Sequence, residues 1–283
     1  MLVKEDWHTH NILCGHAQGN LEDYVLEAIK KNIDSLGFSD HFPYEMLNSL
    51  EGIPYEEYSM TLQEMESYVF QAKKLREEYE DQLNIRIGFE LDFIENQERL
   101  QNHYLEPLST EIDYLLGSIH LLSSKENKKW CVDDNRFIGE YKKQGIVNVY
   151  LEYYKTMRKM ISSKDFDFDI VSHFDLPKKY RFFPQKKESV KEEVLKTLDL
   201  IKEHNLAIEI NTGGFRKDVG EQYPSISIIK EIKKLDIPVL LGSDAHKPEE
   251  IAFEFEKMIK LLKDMEFNKL AHFKKRKISY IDI

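Results

Sequence analysis

The sequence predicts an α/β fold built from repeated β-α units, and three observations lead there. Short apolar, β-branched runs alternate with amphipathic stretches of helical period, about seven times along the 283 residues. No Gly-, Pro- or Ser-rich linker divides these units, so residues 1–283 read as one domain. Alternating β and α elements imply parallel strands covered by helices. Closure of such strands into a barrel puts the working face at their C-terminal ends.

In chain order, the first strand is expected over residues 2–8. A helix follows over 21–32, with Leu21, Tyr24, Val25, Ala28 and Ile29 on one face. Asn20 caps it, because its side-chain oxygen can take a free amide of the first turn. Further strands are expected over 35–39, 85–91, 113–118, 169–172, 206–210 and 237–242, and helices over 61–81, 95–107, 147–161, 189–204 and 225–235. Residues 43–60 are irregular and Tyr-rich, and 122–145 form a polar excursion. Lys247-Pro248 opens a final helix, with proline in the first turn where no amide donor is needed. The lysine-rich tail, 269–277, is expected to be a solvated face.

Composition narrows the function classes. Hydrophobic residues make up 41% and charged residues 32%, which suits a protein with a real core. A net charge of −11 argues against a general nucleic-acid groove. The longest apolar run, near 237–241, is far too short to span a bilayer. The first six residues leave no room for a signal sequence. The two cysteines, Cys14 and Cys131, form no disulfide framework and are expected to be small buried thiols, as in a cytoplasmic protein. No Gly-x-Ser-x-Gly elbow and no phosphate-cradling Gly-x-x-x-x-Gly-Lys-Ser/Thr loop occur.

The histidines are more telling by position than by number. His8 and His10 end the first expected strand, and His16 lies in the loop just after. His41 follows the second strand, Glu90 closes the third, His120 the fourth, His173 the fifth, and Asp244 and His246 the last. If the strands are parallel neighbours, these nine side chains converge on one rim. Clustered imidazoles gain nothing from packing and repel one another when protonated. Imidazole with carboxylate suits Zn²⁺, Fe²⁺ or Mn²⁺. Nine ligands exceed what one ion accepts, so two or three divalent ions are expected, bridged by carboxylates. His103, His204 and His272 lie in expected helices or the tail and are assigned structural or solvated roles.

These residues, with the flanking words Gly88-Phe89-Glu90-Leu91-Asp92, Ser172-His173-Phe174-Asp175-Leu176, Asn211-Thr212-Gly213-Gly214-Phe215 and Gly242-Ser243-Asp244-Ala245-His246, resemble the polymerase-and-histidinol-phosphatase (PHP) superfamily, and its histidinol-phosphatase branch in particular. The resemblance covers nearly the whole chain. It implies a distorted (βα)₇ barrel with a trinuclear site. By position, His8, His10, Glu90 and Asp244 would hold one ion; Glu90, His120 and His173 a second; and His16, His41 and His246 a third, with Asp244 a possible addition.

The activity so implied is hydrolysis of L-histidinol phosphate to L-histidinol and phosphate. The expected nucleophile is a water bridging two ions and deprotonated near neutral pH. Three divalent ions set against Glu90, Asp244 and a hydroxide leave about +3, a local reversal of the chain's acidity that favours a phosphate dianion. Glu90 and Asp244 are thus catalytic candidates as well as ligands. Of the cations beyond the ligands (Lys178, Lys179, Arg181, Arg216 and Lys217), Lys178 and Arg216 are the expected phosphate grips. Asp133, Asp134 and Glu221 stay open as partners for the substrate's amino group, and Asp40 and Asp175 are expected to orient histidines. The stretch 44–58 is read as a lid, an imidazole-stacking wall or ordinary packing. Other readings with the same ligands are a phosphatase for another small phosphate ester or nucleotide, and a non-catalytic metal-binding module. The oligomeric state is open.

Overall fold

The computed structural model describes residues 4–47, 50–185 and 187–283. Seven strands lie side by side in parallel: β1 (Glu5–Asp6), β2 (Ser35–Phe38), β3 (Asn84–Asp92), β4 (Tyr114–Ser118), β7 (Ile170–Val171), β8 (Ala207–Asn211) and β9 (Val239–Gly242). The Trp7 amide donates to Leu241 O at 3.0 Å, and Thr9 bridges Ala245 in parallel register, so the last strand returns to the first and the barrel nearly closes. The buried Asp6 carboxylate fastens this seam by accepting from the amides of Ser243 (2.9 Å) and Ala252 (2.8 Å). Every expected strand is present. Of the first, residues 2–3 lie outside the described residues, as do Asn48 and Ser49 of the Tyr-rich stretch.

Helices α1 (Leu21–Lys30), α2 (Leu62–Glu78), α3 (Glu98–Leu105), α5 (Ile146–Ser162), α6 (Lys187–Glu203), α7 (Ile226–Lys234) and α8 (Phe255–Asp264) cover the barrel. Asn20 caps α1 as its sequence position implies, accepting from the amides of Glu22 and Asp23, and the Asp23 carboxylate closes a capping box. The polar excursion is more ordered than expected: β5 (Leu121–Ser123) and β6 (Lys129–Cys131) form a hairpin, and α4 (Ile138–Gln144) follows. No helix among the described residues is long and apolar enough to cross a membrane.

Two expectations need correction. Pro248 opens only a 3₁₀ turn, Pro248–Glu250. Left-handed backbone at Ala252 (φ 54°) and Glu254 (φ 58°) breaks the run, and α8 starts at Phe255. The lysine-rich tail is not merely a solvated face. It is a β-hairpin of β10 (Lys269–Lys274) and β11 (Lys277–Asp282). Alternate side chains of β10 point inward, so Ala271 and Phe273 are buried although lysines flank them.

That hairpin helps to fill the barrel. Ala271 and Phe273 pack with Trp7, Tyr114, Leu116, Ile170, Ala207 and Leu240 in one apolar cluster. Two residues further along four of these strands, on the same face of the pleat, stand Ser118, Ser172, Glu209 and Gly242. The barrel interior therefore changes from an apolar layer to a polar one towards the strands' C-terminal ends. We predict that Phe273→Ala lowers unfolding free energy by about 3–5 kcal/mol in urea titrations, the usual cost of removing a buried phenyl ring. A change no larger than that of an exposed substitution would contradict the hairpin's packing role.

Candidate metal centre

Glu90 is the hub of the polar layer. It lies two residues before the end of β3, is 2% exposed, and has five imidazole nitrogens around its carboxylate. His173 Nε2 lies 2.8 Å away, His41 Nδ1 3.2 Å, His8 Nε2 3.3 Å, His10 Nε2 3.6 Å and His120 Nε2 3.7 Å. Ser118 Oγ donates to it at 2.6 Å. Asp244 Oδ1 stands 3.3 Å from His10 Nε2 and 3.5 Å from His246 Nδ1. Asp244 and His173 both have positive φ (54° and 21°), uncommon for residues other than glycine and a mark of functional sites.

Four trios have ligand atoms mutually close enough to share an ion: His8, His10 and Glu90; Glu90, His120 and His173; His10, His41 and His246; and His10, Cys14 and Asp40. His16 joins none of these, although its ring centre is 4.9 Å from that of His246 and 5.4 Å from that of His41. All nine residues picked from strand ends thus meet in one region. His103 and His204 are exposed away from it, and His272 Nδ1 pairs with Glu5 at 2.9 Å beneath the barrel.

The back of several rings is occupied. His8 Nδ1 donates to Glu209 Oε1 at 2.7 Å, His10 Nδ1 to Asp40 Oδ1 at 3.2 Å, and His246 Nδ1 to the Asp244 carbonyl at 3.0 Å. His120 Nδ1 lies 3.3 Å from Asp92. A ring that gives its Nδ1 proton backwards keeps its Nε2 lone pair for the cavity. Yet His8 Nε2 and His10 Nε2 then face each other at 3.1 Å. Two lone pairs at that distance repel unless a proton or a metal ion lies between or beside them. The donor set therefore fits divalent metal ions of the zinc, iron or manganese kind.

The electrostatics point the same way. Burial opposes charge on every ring, but the carboxylates outweigh it at His8 (Glu209, Glu90, Asp244), at His10, pushed up to about 9, and at His120, pushed up to about 10. Burial prevails at His41, His246 and His16 and holds these rings below the usual imidazole range. Glu90 and Asp244 are buried too, yet the neighbouring imidazoles, His8 foremost, hold both carboxylates well below their usual range. The cluster as a whole draws in positive charge.

The PHP domain family model matches residues 6–213 of the chain. The chain belongs to the PHP family. A relative named "Probable histidinol-phosphatase" from Deinococcus radiodurans is 30% identical over 92% of this chain and 93% of its own length. A histidinol-phosphatase of Bacillus subtilis is 28% identical over 90% of this chain and 98% of its own. Among solved structures, a histidinol phosphate phosphatase from Lactococcus lactis, complexed with zinc, L-histidinol and phosphate, superposes with a TM-score of 0.77 at 22% identity, covering 98% of both chains.

The cavity of this PHP chain has a volume of about 580 Å³ and opens over the metal-type cluster. The expected phosphate grips do not line it. Lys178 is 3% exposed and turned away: its ammonium pairs with Asp175 (3.1 Å) and Glu221 (2.7 Å) and donates to Gln222 O. Arg216 Nη2 donates to the carbonyls of Ser243 and Asp244, both at 2.8 Å, and so braces the Asp244 turn from behind. The neighbours Lys179 and Lys217 line the cavity instead. Lys179 pairs with Asp133 at 3.0 Å, whereas Lys217 has no carboxylate partner within ion-pair distance among the described residues. Asp133 and Asp134 also line the cavity and Glu221 does not. Asp175 holds Lys178 and the Ser225 amide rather than a histidine.

Glu209 was not singled out in the sequence. It is fully buried in β8, takes the His8 Nδ1 proton and the His173 amide (3.0 Å), and accepts from Asn211 Nδ2 at 3.1 Å. A side chain at Gly242 would fall on its carboxylate, so the adjacent strand must carry glycine there. Its signal was a lone acid at an inward position of the apolar strand Ala207–Asn211. We predict that Glu209→Gln weakens metal binding about tenfold or more, because a neutral amide no longer raises the basicity of His8. Competition titration against a chromophoric chelator would read this, and unchanged affinity would contradict the role.

Proposed function

We propose that this chain is a metal-dependent phosphomonoesterase that hydrolyses L-histidinol phosphate to L-histidinol and phosphate. The observation that carries the reading is the sealed carboxylate of Glu90 among five imidazole nitrogens, at the C-terminal mouth of a barrel whose full-length relatives are named histidinol-phosphatases. We assign His8, His10, Glu90 and Asp244 to one ion and Glu90, His120 and His173 to a second. His16, His41 and His246 take the third, a reading supported by the spacing of their rings, with the His16 centre 4.9 Å from that of His246 and 5.4 Å from that of His41; the trios of His8, His10, Glu90 and of Glu90, His120, His173 support the first two. When bound, such ions supply charge neutralisation for the phosphoryl oxygens and a water acidified towards neutral pH.

The chain's own residues do the rest. Glu209 and Asp40 hold the rings of His8 and His10 in the tautomer that presents Nε2. Lys179 and Lys217, at the cavity wall, are the proposed partners of the phosphate in place of Lys178 and Arg216, which do not line the cavity. Asp133 and Asp134 remain the acidic groups available to a substrate ammonium. Residues 1–283 act as one unit, a reading supported by the C-terminal hairpin's share in the barrel interior. The two free, buried cysteines support a cytoplasmic setting.

Purified protein should turn over L-histidinol phosphate far faster than generic phosphate esters or nucleotides. Equal rates across such a panel would refute the substrate assignment. Chelation should abolish turnover and added divalent metal restore it. His120→Ala and Glu90→Ala should each lower kcat/KM by about 100-fold or more, since each removes a ligand, whereas His204→Ala should leave it unchanged. Equal losses from all three would contradict the ligand assignment.

A further inference from the structure

The mouth of the cavity carries a four-residue cluster centred on Arg136, a residue with no part in the reaction as described. Arg136 Nη1 donates to Glu57 Oε2 at 2.8 Å, and its Nε reaches both Asp134 oxygens at 3.1 and 2.8 Å. The Tyr58 hydroxyl donates to the same Asp134 carboxylate, and the Arg136 guanidinium carbon stands 5.7 Å from the Tyr58 ring centre. Two segments 79 residues apart in the chain are thereby clipped together at the cavity wall. An exposed ion pair of this kind adds little to stability. The forked geometry of the guanidinium instead fixes where its partners sit.

What it fixes is the backbone of Glu57. His16 Nδ1 lies 3.0 Å from the Glu57 carbonyl as well as 3.0 Å from that of Cys14. The other rim histidines are buried or partly buried, and His8 and His10 lean on buried carboxylates. His16 is the one exposed member of the nine, and one of its two anchors is a surface loop far away in sequence. Gly15, beside it, has φ of 82° and its would-be Cβ lies 3.5 Å from Glu57 Cα, so the loop is packed directly on the ligand-bearing turn.

We infer that Arg136 is a positioning residue for the metal centre: by pinning the Glu57 loop it holds the His16 ring with Nε2 towards the cavity, and so sets how tightly the outermost ion is bound. The inference rests on the metal-centre reading above. Its energetic route is geometric, through a carbonyl that orients a ligand, and does not require Arg136 to touch substrate.

The test is ion content and ion affinity of Arg136→Ala, Arg136→Lys, His16→Ala and the double variant Arg136→Ala/His16→Ala, with circular dichroism confirming the fold. Elemental analysis after dialysis into metal-free buffer should find about one ion per chain fewer in Arg136→Ala than in the unaltered protein. Its weakest ion should bind about tenfold more weakly, the cost typical of losing an outer contact to a ligand. Excess divalent metal should restore its kcat, and Arg136→Lys should fall between. The double variant should be no worse than His16→Ala, because both changes remove the same ion. Additive losses, or a full ion complement in Arg136→Ala with only KM raised, would overturn the inference while leaving the metal centre intact. An unaltered protein that binds no ion at all would overturn both.

Discussion

A carboxylate taken out of water is costly unless positive charge comes with it. Glu90 is such a carboxylate, and the chain surrounds it with imidazoles rather than with lysine or arginine. Imidazoles can compensate it only by holding protons or by holding metal ions. Protons are a poor solution, since neighbouring imidazolium rings repel; His10 and His246 are stacked with centres 4.3 Å apart. Divalent ions satisfy the carboxylates and the facing lone pairs at once. The rest of the structure can be understood as the scaffold that keeps this otherwise unfavourable cluster assembled.

The scaffold works by layering. Strand interiors begin apolar and end polar, so the same pleat that buries Leu116, Ile170 and Ala207 delivers Ser118, Ser172 and Glu209 to the site. The seam between β9 and β1 is drawn shut by Asp6, which fixes the Ser243 amide one residue before Asp244. Packing and ligand geometry are therefore coupled through short stretches of backbone. At the mouth this rigidity gives way to surface loops, and there a ligand, His16, depends on a carbonyl from elsewhere.

Much of this is legible in the sequence. Strand-helix alternation gave the barrel, because parallel strands need covering helices. The nine metal-type residues could be read because each sits at or just past the C-terminal end of a strand, where barrel topology gathers side chains. Other features left weaker traces. Lys178 ends a one-turn 3₁₀ helix and Lys179 caps it, and one residue of rotation sends one ammonium into the interior and the other to the cavity. The break before α8 lies at Ala252 and Glu254, residues with no intrinsic preference for left-handed backbone. In the tail, lysines at both ends of Lys269–Lys274 mask the alternation that buries Ala271 and Phe273. Asp40 was expected to orient a histidine and does; Glu209, the stronger orienting group, was hidden within an apolar strand.

The most direct test of the account is anomalous diffraction, recorded at the absorption edges of zinc, iron and manganese, from crystals of enzyme that turns over L-histidinol phosphate. Peaks should lie about 2.0–2.2 Å from the nitrogens of His8, His10, His120 and His173, with Glu90 shared between two of them. A fully active crystal form with no peak at that carboxylate, or with ions bound elsewhere on the molecule, would contradict it.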